Sequence, residues 1–289
     1  MLADFQDALR GLPLSTVVTG GGAAFVAFLA GLAFANGVMK QLINMVCIGL
    51  GVSVAWYSMR HRVEMFGPSA ASMGTDRLVI FSGVAGLLGY GISRAAMQLL
   101  SVFGIFKLFG GLAGWKGLAI SIIPSGFLLW VASMGLRLVG NLYGMETAAA
   151  VGREGTRITS SFGGVVDTLR KALEKSSIGS MLLDVDPLAM RPTANLTRLL
   201  IVWPDQRLWP QLAANPKTAA VFSHPKVATL GYDASVRKLI DSKDYTGLMQ
   251  LPKVEEVALY PDLQPLLNDV GLEDAMDQIL YGRAPPKKK

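Results

Sequence analysis

The chain has 289 residues, of which 51% are hydrophobic and only 17% charged, and its formal net charge is +6. Water-soluble domains carry about 25% charged residues, and here the charge is also uneven: residues 1–145 hold nine basic and four acidic residues, residues 146–289 eighteen and seventeen. An apolar half joined to an ordinary polar half excludes a single soluble globule, a disordered chain and, with one cysteine, a disulfide scaffold.

Residues 1–14 form an N-terminal segment with Asp4, Asp7 and Arg10, unlike a cleavable signal peptide. The membrane domain, 15–140, holds four apolar segments at about 16–39, 41–59, 78–100 and 117–139. A span needs roughly 20 such residues to cross a hydrocarbon core of ~30 Å. The second segment closes on Trp56 and Tyr57, where an interfacial aromatic belt would place them. The third continues past Arg94 as an apolar run to Phe109, so Arg94 is expected to snorkel to the headgroups. No Asp, Glu or His lies inside the four segments, which argues against an ion-coupled transporter.

Glycines crowd these segments: Gly20 to Gly22, Gly49, Gly51, Gly83, Gly86, Gly89 and Gly91. Small residues let helix backbones approach closely in lipid, so they serve packing within the bundle, a self-association face or a pore wall. Four spans put both termini on one side. Arg10, Arg60, Arg62, Arg77, Arg137 and Arg153 then face Lys40, Arg94, Lys107 and Lys116 across the membrane, which favours cytoplasmic termini.

The polar half opens with an amphipathic linker region, 141–200. Within it Ile158, Phe162, Val165, Val166, Leu169, Leu173 and Ile178 recur three or four apart, and Ser160 or Ser161 suits the N-cap. Arg157, Arg170, Lys171 and Lys175 lie opposite, a pattern that fits either the headgroup plane or packing on the soluble domain. Residues 201–283 read as a soluble domain of short Pro-initiated helices, followed by a basic tail at 284–289. Pro216-Lys217 recurs as Pro252-Lys253 and Pro225 as Pro261; Val221 and Val257 match, as do Val227 and Leu263. Pro is suited to the first position of a helix, where its missing N–H costs nothing. Helices this short do not persist alone, so most of their large apolar residues must pack on one another. Trp203 and Trp209 are expected to be exceptions, because each precedes a proline where the chain bends. With Phe222 and Met249 they are the candidate partner-binding residues, aromatic side chains being the usual interface anchors.

Catalytic chemistry finds no foothold. Cys47 lies in an apolar segment and reads as packing. His61 and His224 fall in different halves without ligand-spaced partners. Asp184 and Asp186 resemble a paired-acid site, but Asp186 precedes Pro187 and reads as an N-cap. No phosphate loop, dinucleotide fingerprint or nucleophile elbow is present. The expectation is a non-enzyme with no catalytic, cofactor or metal residues. The basic surplus lies in short connections and in Lys287-Lys288-Lys289, not in a stripe, so no nucleic-acid partner is expected.

One layout unites these features. A basic junction, Asn36-Gly37-Val38-Met39-Lys40, leads into Leu42-Ile43 and Gly49-Leu50-Gly51, and a prolonged third span reaches a glycine-rich turn, Gly110-Gly111-Leu112-Ala113-Gly114-Trp115-Lys116-Gly117. Over about 15–140 this resembles the colicin V production protein (CvpA) family of four-span bacterial inner-membrane proteins. Trp115-Lys116 stands where that family places an Asp-Arg pair. The Pro-initiated helices resemble an STI1-type tail, whose helices form a groove for an apolar helix, here expected to be filled by the domain itself. The resemblance implies an all-α fold: a polytopic four-helix membrane region, an amphipathic helix and a small domain of short helices. It implies a multi-pass protein of the bacterial inner membrane whose partners are the lipid bilayer and other membrane proteins, in hetero- or homo-oligomers. The function expected is a non-catalytic scaffold or accessory subunit; the alternative is a small channel or export component. The family's basic first and third connections oppose the charge count above, so the side of the tail stays open.

Overall fold

The computed structural model describes residues 19–24, 26–27, 38–70, 73–102, 115–154, 161–177, 179, 181 and 190–281. Among these every regular element is helical and no strand occurs, which makes the fold all-α. The first apolar segment, 16–39, lies largely outside the described residues, as do 1–14, the glycine-rich turn at 110–114, Arg157, Asp184, Asp186 and the basic tail. Three helices are long and apolar enough to cross a membrane, within Lys40–Arg60, Thr75–Leu100 and Ser121–Gly152.

The chain divides into two units. The first contains α1 (Val38–Arg60), most of α3 (Thr75–Val102), the opening part of α4 (Trp115–Glu154) and a later segment from Thr168 that includes Arg170 and Glu174. Between them α2 (Arg62–Phe66) and a 3-10 turn at Pro68–Ala70 make the connection. Helices α1 and α3 run antiparallel and touch through glycine. A Cβ on Gly51 would stand 2.8 Å from the Gly86 carbonyl oxygen, and one on Gly89 2.9 Å from Val54. Such approach is the usual means of helix association where lipid removes the hydrophobic drive. Gly83 and Gly91 meet nothing within 4 Å and take no part in that crossing. Away from it Ile80, Leu87, Leu88 and Ile92 are 63–71% exposed, as side chains facing acyl chains must be.

Helix α4 has 40 residues, hence a length of about 60 Å, twice the hydrocarbon core. Its early residues Ile122 and Ile123 are exposed, whereas Leu142, Met145 and Ala148 are 0–1% exposed. The division between units falls after Arg137, so the later half of this helix belongs to the second unit. The span expected at 117–139 therefore continues into residues that the sequence assigned to a linker. Hydropathy cannot mark the change, because a protein core is as apolar as lipid.

The linker region yields two more helices, α5 (Ser161–Glu174) and α6 (Met190–Val202). Helix α6 is no linker. Residues 191–202 are all buried, and helix α6 forms the axis of the second unit. Around it pack α9 (Pro225–Tyr232), α11 (Tyr245–Met249), α12 (Pro252–Ala258) and α13 (Gln264–Asn268). Gly144 and Gly152 of helix α4 allow Arg198 and Val202 to approach within 3.9 and 4.0 Å of an added Cβ. The unit is completed by α7 (Trp209–Ala214), α8 (Pro216–Phe222), α10 (Ala234–Asp241) and α14 (Val270–Tyr281).

Pro216, Pro225 and Pro252 open their helices as the repeat predicts, with the Asn215 and His224 side chains capping the first two. Pro261 does not. It begins a turn, and the next helix starts at Gln264 with Pro265 in its first turn. The repeat nonetheless preserves burial: Val221, Val227 and Leu263 are 0% exposed and Val257 8%. Between Ala234 and Met249 the chain forms two helices. Lys243 takes a left-handed φ of 58°, and the Asp244 carboxylate then accepts from Gly247 N at 2.7 Å to cap the second helix.

Candidate functional site

Trp203 follows helix α6 directly. Its indole lies on the backbone of Gly231, where an added Cβ would come within 2.3 Å of the ring. Glycine in a helix costs about 1 kcal/mol relative to alanine; here it makes room for the largest side chain. Phe222, Trp209 and Tyr232 gather around Trp203 with ring centroids at 4.9, 5.6 and 6.0 Å, the last edge-on. Aromatic pairs prefer such tilted arrangements, each contributing about 0.5–1.5 kcal/mol beyond area burial. The Trp209 Nε1–H donates to the Trp203 carbonyl at 2.9 Å, fixing the second indole.

This cluster forms one wall of an open cavity of about 310 Å³ lined by Trp203, Pro204, Gln206, Trp209, Tyr232, Arg237, Ile240 and Asp241. It is shallow and broadly open to solvent, with aromatic walls and a few polar groups. Tyr232 is 59% exposed at its edge, and the Arg237 guanidinium stands 5.6 Å from that ring. Arg237 also donates from Nε to the Gly231 carbonyl at 3.4 Å. Arg237 and Asp241 are one turn apart on helix α10, so the rim presents both signs of charge.

The structure corrects Trp203. It is 4% exposed and not a surface anchor, because the bend at Pro204 turns its ring inward onto Gly231. Trp209 is half-buried and lines the cavity. Phe222 backs the indoles from behind, and Met249 is half-buried on helix α11 and does not line the cavity. Tyr232, Arg237 and Asp241 escaped sequence reasoning. The available signal was Gly231 inside an apolar helix beside a tyrosine, the mark of a close backbone approach.

Among the membrane-interface candidates, Trp56 is half-buried, and Tyr57 is 57% exposed and stacks on His61 at 4.3 Å. Arg94 is exposed and donates to the Asn44 side chain of helix α1. Lys171 is half-buried and Lys175 exposed. Arg170 requires correction. It is 3% exposed and bonds Glu174 Oε2 at 3.3 Å, while Arg137 Nε reaches Oε1 of the same carboxylate at 3.4 Å. The face of helix α5 expected to be cationic therefore holds a buried Arg–Glu–Arg triad, and Val165 and Leu169 are exposed instead. Periodicity alone does not reveal a charge neutralised by a partner 37 positions away.

A second buried pair ties two parts of the second unit together. Arg62, in the connection between α1 and α3, donates to the Asp244 carboxylate and, at 3.2 Å, to the Ala70 carbonyl. The connection 62–75 thereby belongs to the same unit as the short-helix domain. On the surface of the same unit, Lys253 holds the Asp233 carboxyl well below the usual carboxylate range, helped by Ser235. Lys217 and the Gly271 N–H lower Asp269 in the same way. Both aspartates stand at helix starts, where negative charge is favoured.

No known protein family, curated protein or solved structure matches the chain.

Proposed function

We propose that the chain is a non-catalytic scaffold or accessory subunit of a larger membrane assembly, resembling the CvpA group of bacterial inner-membrane proteins, and that its short-helix domain binds a partner. The observation that carries this reading is the aromatic cavity between Trp209 and Tyr232, open at the surface of the short-helix domain. An apolar or aromatic side chain of the partner would enter between the two rings. The Arg237 and Asp241 charges would orient the backbone around it.

The test is recovery of partners from detergent-solubilised membranes by the tagged full chain and by Trp209→Ala and Tyr232→Ala. A central aromatic anchor contributes ≥ ~2 kcal/mol, a loss of about thirtyfold in affinity. Partners lost from both variants at unchanged helical content and melting support the reading. Partners retained in both variants would remove the cavity from it.

A further inference from the structure

Helix α2 exposes large apolar side chains where the chain leaves one candidate span and enters the next. Val63, Met65 and Phe66 are 37, 51 and 52% exposed, with the Glu64 carboxylate exposed among them. The helix is not free to turn these side chains inward. Arg62 at its first position is held by the Asp244 carboxylate and the Ala70 carbonyl. At the other end Gly67 N donates to the Val63 carbonyl at 2.8 Å, and a left-handed φ of 82° at Gly67 reverses the chain. A structure so constrained in a water-facing loop would leave about half of each of two large apolar side chains in solvent.

Chain length supplies their surroundings. Helix α1 ends at Arg60 and helix α3 begins at Thr75. Met65 is five residues past the first boundary, so even a fully extended chain would keep it within about 18 Å of the membrane surface. Arg60 and Arg77, both exposed, bracket the connection with cations suited to lipid phosphates, beside the exposed carboxylates of Glu64 and Asp76. Apolar side chains between flanking cations are the pattern of an element in the headgroup–acyl boundary, about 5–10 Å deep.

We infer that helix α2 is a membrane-surface anchor whose Met65 and Phe66 side chains enter the bilayer. Lipid is thereby a ligand of the short-helix domain, because the ion pair from Arg62 to Asp244 ties that domain to the anchor. The inference rests on the reading of the long apolar helices as spans, and its test separates the two.

In a Cys47→Ala background, single cysteines are placed by Met65→Cys, Phe66→Cys, Leu87→Cys and Glu256→Cys and labelled with a polarity-sensitive fluorophore. The full chain is reconstituted into phosphatidylcholine–phosphatidylglycerol vesicles with and without spin-labelled acyl chains. The expected result is a blue-shifted emission at positions 65 and 66, with quenching comparable to Leu87 and absent at Glu256. Quenching at Leu87 with positions 65 and 66 behaving like Glu256 would overturn the anchor and leave the spans standing. No quenching at Leu87 would overturn the spans and the anchor together.

Discussion

The two halves of helix α4 are both largely apolar and have opposite surroundings. Before Arg137 its large side chains Ile122 and Ile123 are 59 and 77% exposed; after it Leu142, Tyr143 and Met145 are 0–6% exposed. Both halves avoid water, one in the environment of a span and the other in a core built on helix α6. The polar groups tell them apart where apolar content does not. The early half carries serines such as Ser125, which receives the Gln41 Nε2–H at 2.7 Å. The later half faces Arg198, whose guanidinium reaches Glu273 at 3.4 Å and also Asp277.

The largest way to break this comparison is at the boundary itself. Glu174→Ala leaves the Arg137 and Arg170 guanidiniums buried without their shared carboxylate, and removing one side of a buried ion pair costs about 3–5 kcal/mol. Thermal unfolding of the full chain in detergent should register that loss, whereas Glu146→Ala, a half-buried carboxylate on helix α4, should cost far less. Next comes the contrast along helix α4. Leu142→Ala opens a cavity in the second unit and should cost about 2–5 kcal/mol, while Ile123→Ala should stay within about 0.5 kcal/mol. Equal losses at the two positions would erase the distinction between the halves.

Overpacking sharpens the comparison in the first unit. Gly86→Val would push a side chain into Ala55 and the Gly51 backbone, 3.0 and 3.1 Å from an added Cβ, for a loss of about 1–3 kcal/mol. Gly83→Val, with open space around it, is the matched control. The smallest effect concerns pH. The Asp233 carboxyl is depressed in the folded chain, chiefly by Lys253, so its contribution is present above the ordinary aspartate value of about 3.9 and fades as pH falls below it. Asp233→Asn should therefore melt lower than the native chain at pH 7, and the gap should narrow from about pH 4 downward.

Much of this architecture was legible in the sequence. Charge-free length located the apolar helices, and the Pro-Lys repeat located the starts at Pro216, Pro225 and Pro252, because proline at a helix start acts through local geometry. What the sequence hid was non-local. Helix α6 carries Arg191, Asn195 and Arg198 among its apolar residues and reads as half-solvated until Leu267, Asn268, Glu273 and Asp277 supply partners some 70 positions away. Trp203 and Trp209 look alike beside their prolines, and the approach to Gly231 buries the first while the second stays half-buried. The cavity needed residues from 203 to 241 in one place, which no local pattern foretells.

The most direct measurement uses a photoreactive amino acid at position 123 or 142 of the full chain in its own membrane, with the adducts identified by mass spectrometry. Lipid adducts from position 123, and protein adducts to residues 190–281 from position 142, are the expected result. Lipid adducts from position 142 would contradict it, and helix α4 would then be a span throughout and not partly the core of the second unit.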